Sequence, residues 1–439
     1  MYCTRLLMLV VLSLSMAGLV STGPVQAENW PGWRGPRGDG TSSETGVPTV
    51  WDGAKGENIA WKVAIPGNGH ASPAVWDDSI FVATCIAETK ERVLLCLDRT
   101  NGSPRWQKTV VTSPFETKHG LNSFASSTPA TDGKLVYVTF LETDGAVVPA
   151  TNVGTPRPVN IGKMVVAAYD FKGEQKWIVR PGEFVSVHGY CSPPVIVDDL
   201  LIVNGDHDGN SYIVALNKLT GATVWKQPRE NKTRSYVTPL VREIEGRRQM
   251  VFSGNRCIVS LDPLTGKPLW TIDGPTEQFV ASMVYDGKYF FMAAGFPTYH
   301  VMAIRPDGTG NVTKTHIAWE SESAKCYVPS PVLAGGYLFV ADDRGTGNCF
   351  DPATGKRLWQ ERLGSHFSSS LVTAGGLVYF LADDGVMQVV EPGEKLKVVA
   401  KNKLGEQIFS SPAISHGQLF LRGETHLYAI GKSAGVATK

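Results

Sequence analysis

One local pattern recurs along this chain and constrains its fold more than any other feature. It is an Asp or Asn, a short turn containing Gly, and then Trp. The pattern runs from Asp98 to Trp106, Asp170 to Trp177, Asn217 to Trp225, Asp262 to Trp270 and Asp351 to Trp359. A stretched copy spans Arg305 to Trp319, Trp61 is a copy without its first half, and Glu391 to Val399 is a worn copy without its Trp. Asp or Asn accepts local backbone hydrogen bonds, Gly takes positive φ without steric cost, and Trp buries a large flat surface between sheets. Trp61 and Trp106 lie 45 residues apart, Trp177 and Trp225 48, Trp225 and Trp270 45, Trp270 and Trp319 49, and Trp319 and Trp359 40. A period of about 40–50 residues in strand-rich units is that of a propeller blade.

Each unit reads as four strands. Ser-Pro steps such as Ser72-Pro73, Ser192-Pro193, Ser330-Pro331 and Ser411-Pro412 open strand A, and β-rich runs such as Leu135 to Val138 form strand B. Runs such as Val93 to Leu97 form strand C, and the Gly turn leads into strand D with its Trp. Eight openings are found, near Ser72, Thr128, Ser192, Thr238, Ser282, Ser330, Ser370 and Ser411. The last unit stops at Ile430 without a strand D, while Asn58 to Ile65 precedes the first strand A. This early strand is predicted to complete the eighth blade and close the ring, which protects the sheet edges. The expected fold is all-β: an eight-bladed β-propeller of four-stranded antiparallel blades over residues 58–432, with seven blades as the alternative count.

Outside the ring, Arg5 and the apolar run Leu6 to Val20 read as a secretory signal over residues 1–27, with Val25-Gln26-Ala27 as the cleavage site. A 28–57 extension follows, and 433–439 forms a tail. The mature chain is expected to be periplasmic or extracellular. It is also expected to be monomeric and without a lipid anchor, because no Cys stands at the cleavage point. The formal net charge of +1 speaks against nucleic acid or acidic lipid as a partner. Six cysteines remain, Cys85, Cys96, Cys191, Cys257, Cys326 and Cys349, none in a metal-ligand spacing. Cys85 and Cys96 fall on adjacent strands and could bridge if the register sets them opposite; Cys326 and Cys349 read as strands A and C, too far apart to bridge.

The form Ala215 to Trp225 and Ser260 to Trp270 resembles the tryptophan-docking repeat of the pyrroloquinoline-quinone-like propellers, over essentially the whole mature chain. The opening Trp30 to Pro36 through Asp39-Gly40 is similar to the start of an exported subgroup. The resemblance implies one of two kinds of protein. Quinoprotein dehydrogenases hold the quinone and Ca²⁺ on the propeller axis; non-catalytic members include the scaffold subunit of the outer-membrane β-barrel assembly machinery. The chain lacks the adjacent Cys pair and a matching Glu, Asn and Asp calcium set of the first kind, and the lipoprotein Cys of the second. The docking residues Trp61, Trp106, Trp177, Trp225, Trp270, Trp319 and Trp359 are structural on this reading.

Strand parity puts the D–A and B–C connections on one face of the disc. His70, Tyr190, Tyr236, Phe279, Phe367 and Phe409 recur just before strand A, with Phe124 and Tyr327 near the same register. These rings are candidates for a ligand-binding collar at one mouth of the axial channel, with inter-blade packing as the structural alternative. His119, Asn122, His188 and His366 fall on the same face, and His188 and His366 join the rings as collar candidates, making ten. An insert from Glu142 to Lys163 lies in a B–C connection there, either functional or a tolerated loop. Both ends of the ring should emerge on the opposite face. Asp206-His-Asp208-Gly-Asn210 begins like a calcium loop but reads better as a hairpin turn, so no metal site is expected. Three functions follow in order: an exported non-catalytic binding or scaffold propeller for protein or glycan partners in the cell envelope; an oxidoreductase using pyrroloquinoline quinone (PQQ) with Ca²⁺; and a carbohydrate-active enzyme. No catalytic residue is assigned.

Overall fold

The computed structural model describes residues 27–150 and 157–432. These form eight antiparallel sheets arranged as the blades of a closed propeller, with no helix among the described residues. Blade 1 is typical: strand A is Ala74–Trp76, B is Ser79–Ile86, C is Glu91–Asp98 and D is Pro104–Thr112. Strands B and C lie between neighbouring blades on both faces, so they read as nearly unbroken apolar runs; every residue of Leu200–Gly205 in blade 3 is buried. Strands D lie at the rim and alternate towards solvent, as in Thr223–Pro228.

The turn before each strand D locks one blade to the previous one. The indole N–H of Trp61 donates to Arg99 O, Trp106 to Phe171 O, Trp177 to Lys218 O, Trp225 to Pro263 O and Trp319 to Pro352 O. In every case the acceptor is in the turn of the next blade. The Gly of that turn is required twice over. At Gly221 φ is +75°, and a Cβ would sit 2.7 Å from the Trp177 ring.

The stretched copy departs for a visible reason. Gly310–Asn311 adds a short parallel strand to strand D of blade 4, beside Trp270 and Thr271. Trp270 therefore donates inside its own blade, to Gln249 Oε1.

The ring closes as the sequence implies. Ile59–Ala64 is strand D of blade 8 and pairs antiparallel with His426–Ile430. A second closure runs round the inner rim. The N–H of Ser282 donates to Ser330 Oγ, Ser330 to Ser370, Ser370 to Ser411, Ser411 to Ser72 and Ser72 to Thr128. This belt links blades 5, 6, 7, 8, 1 and 2. The remaining junctions use other bonds, such as Asn204 Nδ2 to Val237 O.

Residues 28–57 do not trail away from the ring. They run along the A–B turns: Trp30 bridges Val75, Thr41 bridges Thr373, and the Glu44 carboxylate accepts the N–H groups of His416 and Gly417. Arg34 is buried, donating to the carbonyls of Leu371 and Pro331 in blades 7 and 6. Trp51 is buried in the cluster that contains Leu404 and Tyr428 and packs Ala400 at its edge. Ala400 holds the position opposite strand C that Trp359 holds in blade 6, so a Trp from the extension is packed where the worn blade-7 repeat lacks its own.

Several expectations are corrected. The register sets Cys85 opposite Arg92 and Cys96 opposite Phe81, and all six cysteines are free. Cys326 lies buried in the connection from blade 5 to blade 6, not on a strand A. The insert is not a loop along its described length, and its pairing is interrupted at one register shift between Thr143 and Val147. It continues strands B and C of blade 2 as a long hairpin, Leu135–Pro149 with Pro158–Asp170, and Glu183–Val185 pairs with its outer side. The proposed signal (1–26 of it) and tail lie outside the described residues, and so do positions 151–156 of the insert.

Candidate functional site: a blind cup on the propeller axis

The D–A and B–C connections surround a cavity of about 530 Å³ on the axis. Six of the ten collar candidates line it: His70, His188, Tyr236, Tyr327, His366 and Phe409. The other four serve the blades. Phe279 and Phe367 are fully buried in the core, Tyr190 packs edge-on against Phe184, and Phe124 stacks on Phe115 at 4.2 Å beneath the Arg92 guanidinium. Rings at the same position of the repeat thus face the axis in some blades and pack into the core in others.

The floor comes from the extension. Trp33 lines the cavity, with its indole N–H on Ser282 Oγ at 3.2 Å, and also lines a second hollow on the far side of the axis. The channel is thus divided by a Trp, and the collar side is a cup with one mouth. Leu121 and Phe296 on its lining are 53% and 45% exposed, an apolar rim in a position where solvent would favour polar side chains.

Buried ion pairs shape the blade 3 side. Arg229 holds Asp206 at 3.0 Å and Arg234 holds Asp208 at 2.8 Å, all four side chains nearly inaccessible. Both carboxylates of the calcium-like stretch are therefore engaged by guanidinium groups, and the turn works as a clamp between a B–C turn and a D–A connection. His119 and His188 meet edge-on at 5.5 Å, and Asn122 Nδ2 donates to His188 O at 2.7 Å. Burial, then the charges of Lys118 and Arg422, pull His70 down to about 4. Burial, then Arg234, pulls His188 down to about 3. Both imidazoles are neutral at neutral pH.

Carboxylates line the opposite side. Asp383 Oδ2 holds His366 Nδ1 at 2.7 Å and also accepts Ser368 Oγ, so the ring is fixed with its other nitrogen free to face the cup. Asp343 accepts the N–H groups of Val328 and Tyr327 on one oxygen, and burial pushes its carboxyl up to about 6. The sequence reading missed Asp343, Trp33, Arg234, Gln278, Phe296, Tyr299 and Cys191 as cup residues. Asp343 sits in an Asp-Asp-Arg-Gly turn, where only Asp342 makes the turn bonds, to the N–H groups of Arg344 and Thr346.

Among the described residues no group of three or more His, Cys, Asp or Glu side chains could hold a metal ion. The one Cys on the lining is Cys191, whose thiol burial pushes up to about 12.

A closed eight-bladed ring whose blades are joined by repeated Trp docking has the architecture of a PQQ-like repeat propeller. Comparison with known proteins gives the family. The family model described as "Outer membrane protein assembly factor BamB" matches residues 43–177, 159–284 and 300–397, and the chain belongs to that family. Outer membrane protein assembly factor BamB of Burkholderia pseudomallei (strain K96243) is 30% identical over 96 residues, which is 22% of this chain and a quarter (25%) of that protein's length. Among solved structures, BamB from Moraxella catarrhalis superposes with a TM-score of 0.56 at 16% identity, over 85% of this chain and 97% of that one. A europium-containing methanol dehydrogenase superposes with a TM-score of 0.60 at 13% identity, over 91% and 98%. At these identities the structural likeness is one of fold.

Proposed function

We propose that this chain is an exported, non-catalytic propeller of the cell envelope. It acts as a monomer and holds a protein or glycan partner on its collar face. The observation that carries the reading is the cup itself: an apolar rim, aromatic walls and a Trp floor, with Asp206 and Asp208 held in clamps by Arg229 and Arg234. Membership in a family named for an outer-membrane assembly factor supports an envelope partner. Among the described residues no helix is long and apolar enough to cross a membrane.

The test places a photo-cross-linking residue at Leu121 on the collar rim, and in a second variant at Leu219 in a C–D turn of the other face. Cross-linking to one defined envelope partner from Leu121 and not from Leu219 is expected. The reverse pattern would remove the collar face from consideration. Titration of the mature chain with PQQ and Ca²⁺, followed by dye-coupled oxidation of alcohols and sugars, addresses the alternative; saturable binding with turnover would make the chain an oxidoreductase.

A further inference from the structure

We propose that the side of the cup between blades 5 and 6 is a subsite for the ammonium end of a lysine side chain presented by a partner polypeptide. The proposal rests on the collar cup being the partner site and gives that partner its chemistry.

Three rings, Phe296, Tyr299 and Tyr327, line this part of the wall, and Phe296 and Tyr327 are tilted by 46° with centroids 6.0 Å apart. Rings at an angle form the walls of a cage for a cation, whose charge is attracted to their faces. Asp343 lines the same cavity. Its Oδ1 is held by two backbone N–H groups, while Oδ2 accepts nothing among the described residues. Among the described residues no Lys or Arg forms an ion pair with it; His366 lowers its pKa and the neighbouring Asp342 raises it. The other ionic groups of the cup are already matched: Arg234 with Asp208, and Asp383 with His366. Asp343 is the carboxylate of this cavity without a cationic partner, which is why burial raises it so far. An ammonium group would supply that partner and pull it back down.

The shape selects among cations. Val280, Val328 and Phe296 line the same cavity as Asp343, and the rim adds Leu121. An apolar approach to one carboxylate fits a straight methylene stem with a charged tip. The exposed apolar rim likewise suits a polypeptide.

The experiment titrates the mature chain with Nα-acetyl-lysine N-methylamide, its norleucine analogue and glucosamine, by calorimetry. Saturable binding of the lysine compound is expected, at least tenfold tighter than the norleucine compound and than glucosamine. Asp343→Asn should weaken it at least tenfold while leaving the circular dichroism and thermal midpoint those of a folded ring. Should that variant fail to fold, Phe296→Ser, at an exposed position, carries the same expectation. Equal binding of lysine and norleucine, a preference for glucosamine, or an unaffected Asp343→Asn overturns the subsite. If no lysine compound binds but the Leu121 cross-link to a partner persists, the subsite fails and the collar reading stands; if the cross-link is also absent, both fail.

Discussion

The backbone N–H of Ser411 donates to the hydroxyl of Ser72 at 2.9 Å, joining residues 339 positions apart across the junction between the last blade and the first. Ser72 passes the chain of bonds on through its own N–H to Thr128. Removing the hydroxyl leaves a buried N–H without an acceptor, which costs about 1–3 kcal/mol. Ser72→Ala is therefore expected to lower stability by that amount in denaturant unfolding. Ser43→Ala, in the extension and away from the belt, should leave it within about 0.5 kcal/mol.

Trp177 and Trp51 test two ways of sealing a junction. Trp177→Ala empties a docking site and should cost about 3–5 kcal/mol. Trp51 belongs to no repeat, yet it is as buried as the docking residues, so Trp51→Ala should cost a similar amount. Unfolding midpoints of the two variants decide whether the extension is part of the ring or an appendage to it.

The Arg234–Asp208 clamp is buried on both sides. Arg234→Met leaves the carboxylate uncompensated and should cost about 3–5 kcal/mol. Replacing both residues by apolar side chains should restore much of that loss, measured as the coupling energy of a double-mutant cycle.

Acid should act on the cup in two opposite directions. His188 has a folded pKa near 3, below its unfolded value, so its contribution is present above about pH 6.5 and is lost as pH falls towards 3. Asp343 has a folded pKa near 6, above its unfolded value, so its contribution is present below about pH 4 and is lost as pH rises through 6. His188→Asn should flatten the acid limb of stability against pH, and Asp343→Asn should remove the decline between about pH 4 and 6. Both side chains are partly open to the cup, so each change is expected to be about 1–2 kcal/mol, below the full shift.

All six described cysteines are free, and burial pushes Cys96 up to about 11 and Cys191 and Cys349 up to about 12. The folded chain should react slowly with a thiol reagent at pH 8, and its thermal midpoint should not change with reductant. A fall in midpoint on reduction would indicate a bridge that the register excludes.

What could be read from the sequence is what repeats. Docking demands a Trp, and the turn beneath it demands a Gly, so each copy states its place in the ring. The inner collar was half legible for the same reason: the rings recur before strand A, but recurrence cannot say which faces the axis. Tyr236 turns inward and Phe279 packs into the core, although they occupy the same position in the repeat. Trp33 and Trp51 carry no such signal. Their roles depend on the path of an extension without periodicity, and on where the eight blades leave space. The insert was misread because its Gly and Pro residues suggest a loop, whereas long antiparallel pairing absorbs the irregularity at one register shift between Thr143 and Val147.

The pairing of Ile59 with Ile430 has a consequence for how such a chain is made. Of the strands of the ring, the one that finishes it emerges from the ribosome first and its partner last. Until then the outer strand of the eighth blade has no neighbour to pair with. Bringing such distant partners together costs about 5 kcal/mol in loop entropy, a sum that grows only slowly with length. A chain truncated shortly before His426 would thus keep the residues of the Ser411–Ser72 bond and the turns under the extension but lose the strand pairing, and a cell would find it open-edged and unfinished rather than one blade short.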